Sequence, residues 1–227
     1  LAITTDELSS IKNELEISGK LIMVGYNRRF APSIQYLKKK LDRNTAYSIY
    51  YQVNAGHVPM DNWYQSPEQG GRLIGEVGHF VDTLQFLLES QPIEVYANFC
   101  EVQGMPKQDN AFITVKFDNG SCCTIAYLAD GDKNYSKEKM LITGLRTNIE
   151  FDNFKTVTVF KNGKHSKKSF MSLDKGQKEE MKQFTASFSK GIQPIKTEAL
   201  LLSALTTIKA VESLNTRMPS TLQVSEL

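Results

Sequence analysis

The run from Gly70 to Leu88, GGRLIGEVGHFVDTLQFLL, restricts the possible folds of this chain more than any other stretch. Leu73, Val77, Phe80, Val81, Leu84, Leu87 and Leu88 recur at helical spacing, so the segment is a helix buried on most of its circumference. A glycine pair leads into it. Glu76, His79 and Asp82 stand three apart and share one helical surface. Polar groups on so apolar a helix must be paired, solvated in a cleft, or used. Two readings of His79 are open at this point. It is a proton-transfer group between carboxylates, or a core histidine satisfied by one neighbour. Asp82 reads as a structural cap or ion-pair partner.

The 227 residues are 41% hydrophobic and 23% charged with a net charge of +2, the balance of a globular domain rather than of a nucleic-acid or membrane-surface binder. No apolar run approaches the roughly 18 residues of a membrane-spanning helix, and no secretory leader is expected. Cys100, Cys122 and Cys123, an odd number with two adjacent in an apolar strand, read as reduced, buried thiols of a cytoplasmic protein.

Leu1 is not a methionine, and the expectation is a longer or processed natural protein. Thr4 and Glu7 form a capping-box pair ahead of Leu8, Ile11 and Leu15, and Gly19 ends that helix. Leu21–Val24 is short and uniformly apolar, as in a parallel strand buried on both faces. Residues 1–29 are therefore expected to be the tail of an α/β domain, and 30–227 a separate α+β domain. In the latter, a helix at 33–42 precedes a strand at 45–55, where Tyr47, Ile49 and Tyr51 alternate with Ser48, Tyr50 and Gln52. A loop over 56–69 carries His57, Pro59, Trp63 and Pro67 to the Gly70 helix. Strands follow at 93–102, 110–118, 121–129, 138–143, 147–152 and 155–161, with turns at Asn119-Gly120 and Asn162-Gly163. This predicts an antiparallel meander, closed by helices at 175–190 and 197–215.

The other candidates each have two readings. Gly70-Gly71 allows close backbone approach, or leaves amides facing an anionic or hydroxylated ligand, which makes Gly71 a substrate-binding candidate. His57, Glu76, His79 and Asp82 include enough ligand types for zinc, although only the helix members have fixed spacing, and no metal site is assigned. Arg28-Arg29 follows an apolar strand and precedes Pro32, a position that borders the ligand crevice of α/β sheets. Trp63 and Tyr64 line a sugar-sized pocket or anchor packing. No GxGxxG, P-loop or CxxC is present, so the chain by itself shows no dinucleotide site.

The order LAITTDEL, GKLIMVGYNRRFAP, GGRLIGEVGHFVDTLQFLL, strand meander and final helix resembles the glucose–fructose oxidoreductase/inositol dehydrogenase/MocA family over essentially the whole chain. The match starts after that family's nucleotide-binding half. The resemblance implies an α+β domain: an open, largely antiparallel sheet with helices on one face, preceded by the last helix and strand of a Rossmann domain. It implies that His79 is the acid/base group for a substrate hydroxyl, with Glu76 as catalytic partner. It also implies that Asn27 and Arg28 face cofactor and substrate, and that Asn54, with Trp63, contacts substrate. The sequence departs from the family at Gly75, where an aspartate is common, and a lysine the family carries would lie before Leu1.

The expected function is the substrate-binding and oligomerisation domain of an NAD- or NADP-dependent oxidoreductase acting on a sugar, nucleotide-sugar or cyclitol. This chain alone is expected to be inactive and to hold no cofactor. Its partners are expected to be a small sugar-like substrate and a second copy meeting it through the open sheet, with no nucleic acid or membrane. A non-enzymatic dimerisation scaffold with a vestigial pocket is the rival reading. A metal-dependent hydrolase centred on His57 and His79 is the third.

Overall fold

The Thr4 hydroxyl accepts a hydrogen bond from the Glu7 amide at 3.2 Å and starts helix α1 (Thr5–Ser18), which Gly19 closes in the left-handed conformation. The computed structural model describes residues 1–227, apart from the side chains of Pro67 and Glu226. Leu8 carries α1 into the main core, and Lys12 reaches the Leu227 carbonyl at 2.8 Å. The strand expected at Leu21–Val24 is absent. These residues are only half-buried, and among the described residues no strand runs beside them. An apolar run becomes a strand only when a neighbour's backbone satisfies it. Here a side chain does so instead: Gln193 accepts from the Ile22 amide at 3.1 Å and donates to the Ile22 carbonyl.

Helix α2 (Pro32–Lys38) has its proline at the first turn and ends earlier than expected. The Tyr47 hydroxyl accepts from the Asp42 amide at 2.9 Å and turns the chain toward β1 (Ser48–Asn54). Helix α3 (Gly71–Leu88) then leads to β2 (Pro92–Phe99), β3 (Asn110–Phe117), β4 (Cys122–Leu128), β5 (Glu138–Gly144), β6 (Thr147–Asp152), β7 (Thr156–Lys161) and β8 (Lys164–Ser169). Helices α4 (Gln177–Lys190) and α5 (Thr197–Thr216) and the short β9 (Ser220–Thr221) complete the chain.

The strands form one open sheet in the order β8-β7-β6-β5-β1-β4-β3-β2-β9. It is largely antiparallel as expected, with one exception: β1 runs parallel to β4, with Tyr51 opposite Ile125. The crossover through α3 makes that pairing possible, since a hairpin cannot join parallel neighbours. The alternation read from the sequence holds in β1, where Tyr47, Ile49, Tyr51 and Val53 are buried beneath the helices. On the other sheet face Tyr50, Tyr96, Phe112, Leu141 and Phe160 are exposed. The same alternation corrects the expectation for the cysteines: Cys123 is buried, but its neighbour Cys122 faces out, as does Cys100, and all three are free. The turn before β8 has positive φ at Asn162 and Gly163, as a tight hairpin requires. Strand β8 itself has no apolar alternation, so its polar sequence did not announce it.

Candidate active site

Helix α3 begins at two glycines of positive φ, +73° at Gly70 and +78° at Gly71. At Gly71 this left-handed backbone is what favours glycine, since the only atoms a Cβ would meet are the tip of the Gln108 side chain, at 2.5 Å. Arg72, 1% exposed, clamps the base of the 56–69 loop. Its guanidinium donates to the carbonyls of Gly56 and Ala55 at 2.8 and 3.2 Å, and sits 3.4 Å from both Asp109 and Glu76. Glu76 also accepts from the Tyr127 hydroxyl at 2.8 Å.

The three polar residues of α3 share the helix surface but not their partners. Glu76 turns to Arg72 and Tyr127, and the buried Asp82 is gripped by both guanidinium arms of Arg29. Asp82 is thereby placed as the structural partner expected of it. Burial outweighs the Arg29 charge and raises its carboxyl to about 6. His79 lies between them without either. Its ring meets Tyr26 edge-on, centroids 5.5 Å apart, and its buried Nδ1 has no partner among the described residues. Burial, followed by the positive charge of Arg28, lowers the imidazole to about 4, with Glu138 opposing and Lys137 and Lys175 adding to the effect. The ring is neutral at pH 7.

Two tyrosines flank His79, each lodged where α3 carries a glycine. A Cβ at Gly75 would stand 2.6 Å from the Tyr64 hydroxyl, and one at Gly78 would stand 2.7 Å from the Tyr26 hydroxyl. Gly75 is one turn before His79, so the Tyr64 phenol reaches the histidine face of the helix. Trp63, 68% exposed, tilts against the Tyr64 ring and anchors no core.

Next to His79 lies a cluster that the sequence reading missed. Glu138 is fully buried at the start of β5. Its carboxylate accepts both arms of Arg28 at 2.9 and 3.0 Å, the Tyr51 hydroxyl at 2.6 Å, and has Lys175 at 3.5 Å. Burial works against the ionised form, but Arg28 and these hydrogen bonds prevail and hold the carboxyl below its ordinary value. A signal was present in the sequence: Glu138 has the same strand parity as the inward-facing Met140 and Ile142. Lys175 had no such signal.

The remaining candidates fall around this centre. Asn27 donates its side-chain amide to the Lys175 carbonyl at 2.7 Å. Asn27 and Arg28 thus both make hydrogen bonds within the chain, to the Lys175 carbonyl and to Glu138. Asn54 is buried at the end of β1, donating to the Asp132 carbonyl at 2.7 Å and leaving Oδ1 unpartnered. His57 is exposed on its loop, and no three His, Cys, Asp or Glu among the described residues converge as a metal site.

Residues 42–150 match the GFO/IDH/MocA C-terminal domain. No curated protein matches the chain. Among solved structures, the oxidoreductase domain protein from Kribbella flavida is 16% identical with a TM-score of 0.80, the match covering 98% of this chain and 72% of that one. The aldose-aldose oxidoreductase from Caulobacter crescentus is 15% identical with a TM-score of 0.78, over 97% of this chain and 70% of its own. The UDP-N-acetylglucosamine 3-dehydrogenase GnnA from Acidithiobacillus ferrooxidans is 15% identical with a TM-score of 0.77, over 95% and 68%. At these identities the likeness is one of fold.

Proposed function

We propose that this chain, whose residues 42–150 match the GFO/IDH/MocA C-terminal domain, is the substrate-binding domain of an NAD(P)-dependent enzyme acting on a hydroxyl or carbonyl of a sugar, nucleotide-sugar or cyclitol. The observation that carries this reading is His79, a neutral imidazole with one unpartnered nitrogen on the helix face between Tyr26 and Tyr64. A nicotinamide, held by a dinucleotide-binding domain that residues 1–227 do not contain, supplies the hydride chemistry. His79 takes the proton of the reacting hydroxyl and returns it in the reverse direction. Asn54 and Tyr64 bring polar atoms to the substrate, Trp63 offers a ring face to a sugar, and Glu76 holds Tyr127 in place from the far side.

The sheet face bearing Tyr50, Tyr96, Phe112, Leu141 and Phe160 supports a homodimer, since a face this apolar calls for a cover. Among the described residues no helix is long and apolar enough to cross a membrane. Three free cysteines fit the reducing cytoplasm.

The test is His79→Ala in the complete enzyme, assayed by nicotinamide absorbance with candidate sugars. The expected loss in kcat is on the order of a hundredfold or more, while the 227-residue chain alone turns nothing over. An unchanged rate would remove His79 from the chemistry and favour the scaffold reading.

A further inference from the structure

Beside His79, two cations share one carboxylate. Arg28 already saturates Glu138 with two hydrogen bonds, and Tyr51 adds a third. Lys175 stands at the margin of the same group, 3.5 Å away, with its side chain 20% exposed. It donates no other hydrogen bond among the described residues and otherwise lies 5.4 Å from the Phe154 ring centre. One negative charge thus faces two positive ones, and Lys137 adds a third close enough to act on His79. Half-buried ammonium groups are costly to leave uncompensated.

Lys175 is built into this place. Asn27 binds its carbonyl at 2.7 Å. The next residue, Gly176, has a φ of +91°, and a Cβ there would collide with the Asn27 carbonyl and the Ala31 amide. The Asp174 side chain accepts the Gly176 amide at 2.8 Å. The turn is therefore pressed against residues 27–31, and the ammonium is aimed by backbone packing. Toward the N-terminal end of α3, on the same helical stripe, the balance reverses, where Arg72 faces both Glu76 and Asp109. The cleft is polarised, with its cationic end on the Glu138 side of His79.

We propose that Lys175, backed by Arg28, forms an anion subsite next to His79, so that the substrate is a sugar bearing a carboxylate or phosphate rather than a neutral sugar. This rests on the oxidoreductase reading of the same cleft and narrows its substrate class. The anion enters at the Lys175 end, away from Glu76, and thereby fixes which way the ring lies across His79. It also neutralises charge that depresses the imidazole, so an anionic substrate makes His79 a better base as it binds.

The experiment is an NMR titration of the 227-residue protein with D-glucuronate, D-glucose 6-phosphate and D-glucose. At low salt at least one of the anionic sugars is expected to bind ~10-fold or more tightly than glucose, and added NaCl is expected to narrow the gap. Whichever anionic sugar shows the advantage identifies the charged group as carboxylate or phosphate. Lys175→Met should remove the advantage, so that this variant binds the anionic sugars no more tightly than it binds glucose, while Lys175→Arg should retain it. Equal affinity for all three sugars, binding of none, or an advantage that survives Lys175→Met would overturn the subsite. If it falls while His79→Ala still stops turnover in the complete enzyme, the oxidoreductase reading stands. If anion preference holds and His79→Ala is fully active, the oxidoreductase role of His79 fails and the subsite remains.

Discussion

Arg28 grips both oxygens of Glu138, at 2.9 and 3.0 Å, and so ties the turn before α2 to the first residue of β5 across 110 positions of sequence. Neither side chain touches water appreciably. Breaking such a pair from one side leaves a buried charge without its partner.

Glu138→Ala is therefore expected to destabilise the protein by about 3–5 kcal/mol, whereas Arg28→Met combined with Glu138→Leu costs less than the sum of the single changes. Urea unfolding of Glu138→Ala, Arg28→Met, Glu138→Leu and the Arg28→Met/Glu138→Leu double measures this. The Glu138 carboxyl is held below its ordinary 4.5, so its contribution is complete above that pH and is lost as pH falls through the lower folded value.

His79 should titrate near 4 by NMR of its ring protons, against an ordinary 6.5. Between those values the unfolded chain binds the extra proton, so this residue lowers stability as pH falls through that window. Asp82, raised from 3.8 to about 6, acts in the opposite sense, stabilising at low pH and losing that as pH rises through 6. His79→Gln removes the histidine contribution and leaves those of Asp82 and Glu138 in place. Its stability relative to wild type is expected to be greater at pH 5 than at pH 7, and thermal melts at the two values check the sign.

Gly75→Ala and Gly78→Ala should separate sharply. Both would gain up to about 1 kcal/mol of helix propensity. At Gly78 the new methyl meets the hydroxyl of Tyr26, which is buried at 5% exposure, and the repacking is expected to cost about 1–3 kcal/mol. At Gly75 it meets the tip of Tyr64 on a surface loop, which can move away. Gly75→Ala should fold normally and lose activity only in the complete enzyme, through the displaced phenol. Thermal melts and turnover, measured side by side, test the contrast.

Arg72→Met removes the clamp on Ala55 and Gly56 and takes the counter-charge from the buried Asp109, leaving it the Gln65 side chain as hydrogen-bond donor. A loss of about 3–5 kcal/mol is expected. Cleavage within residues 56–69 by a nonspecific protease should accelerate more than cleavage elsewhere, because local release adds to global destabilisation.

The part of the site on α3 was legible because a long periodic helix declares which residues face which way. That placed Glu76, His79 and Asp82 correctly on the helix, and the domain type followed from the order of motifs. The Leu21–Val24 strand was misread because hydrophobicity alone does not say whether a pairing backbone lies alongside. Lys38 ending α2, Cys122 facing outward and β1 lying parallel to β4 were decided by neighbours, not by local preference.

What the sequence determined by itself was short-range: the capped α1, the buried stripe of α3, the alternation in β1, the tight turn at Asn162-Gly163. These rest on interactions a few residues long, whose geometry is repeated in the pattern of residue types. What only the tertiary structure decided was which charge meets which. Arg28 finds Glu138, Arg29 finds Asp82, Arg72 finds Asp109, and Lys175 is brought beside the first of these pairs to share its single carboxylate. Those contacts join residues that are far apart in the chain, and a desolvated charge takes its partner from whatever the folded backbone places within reach.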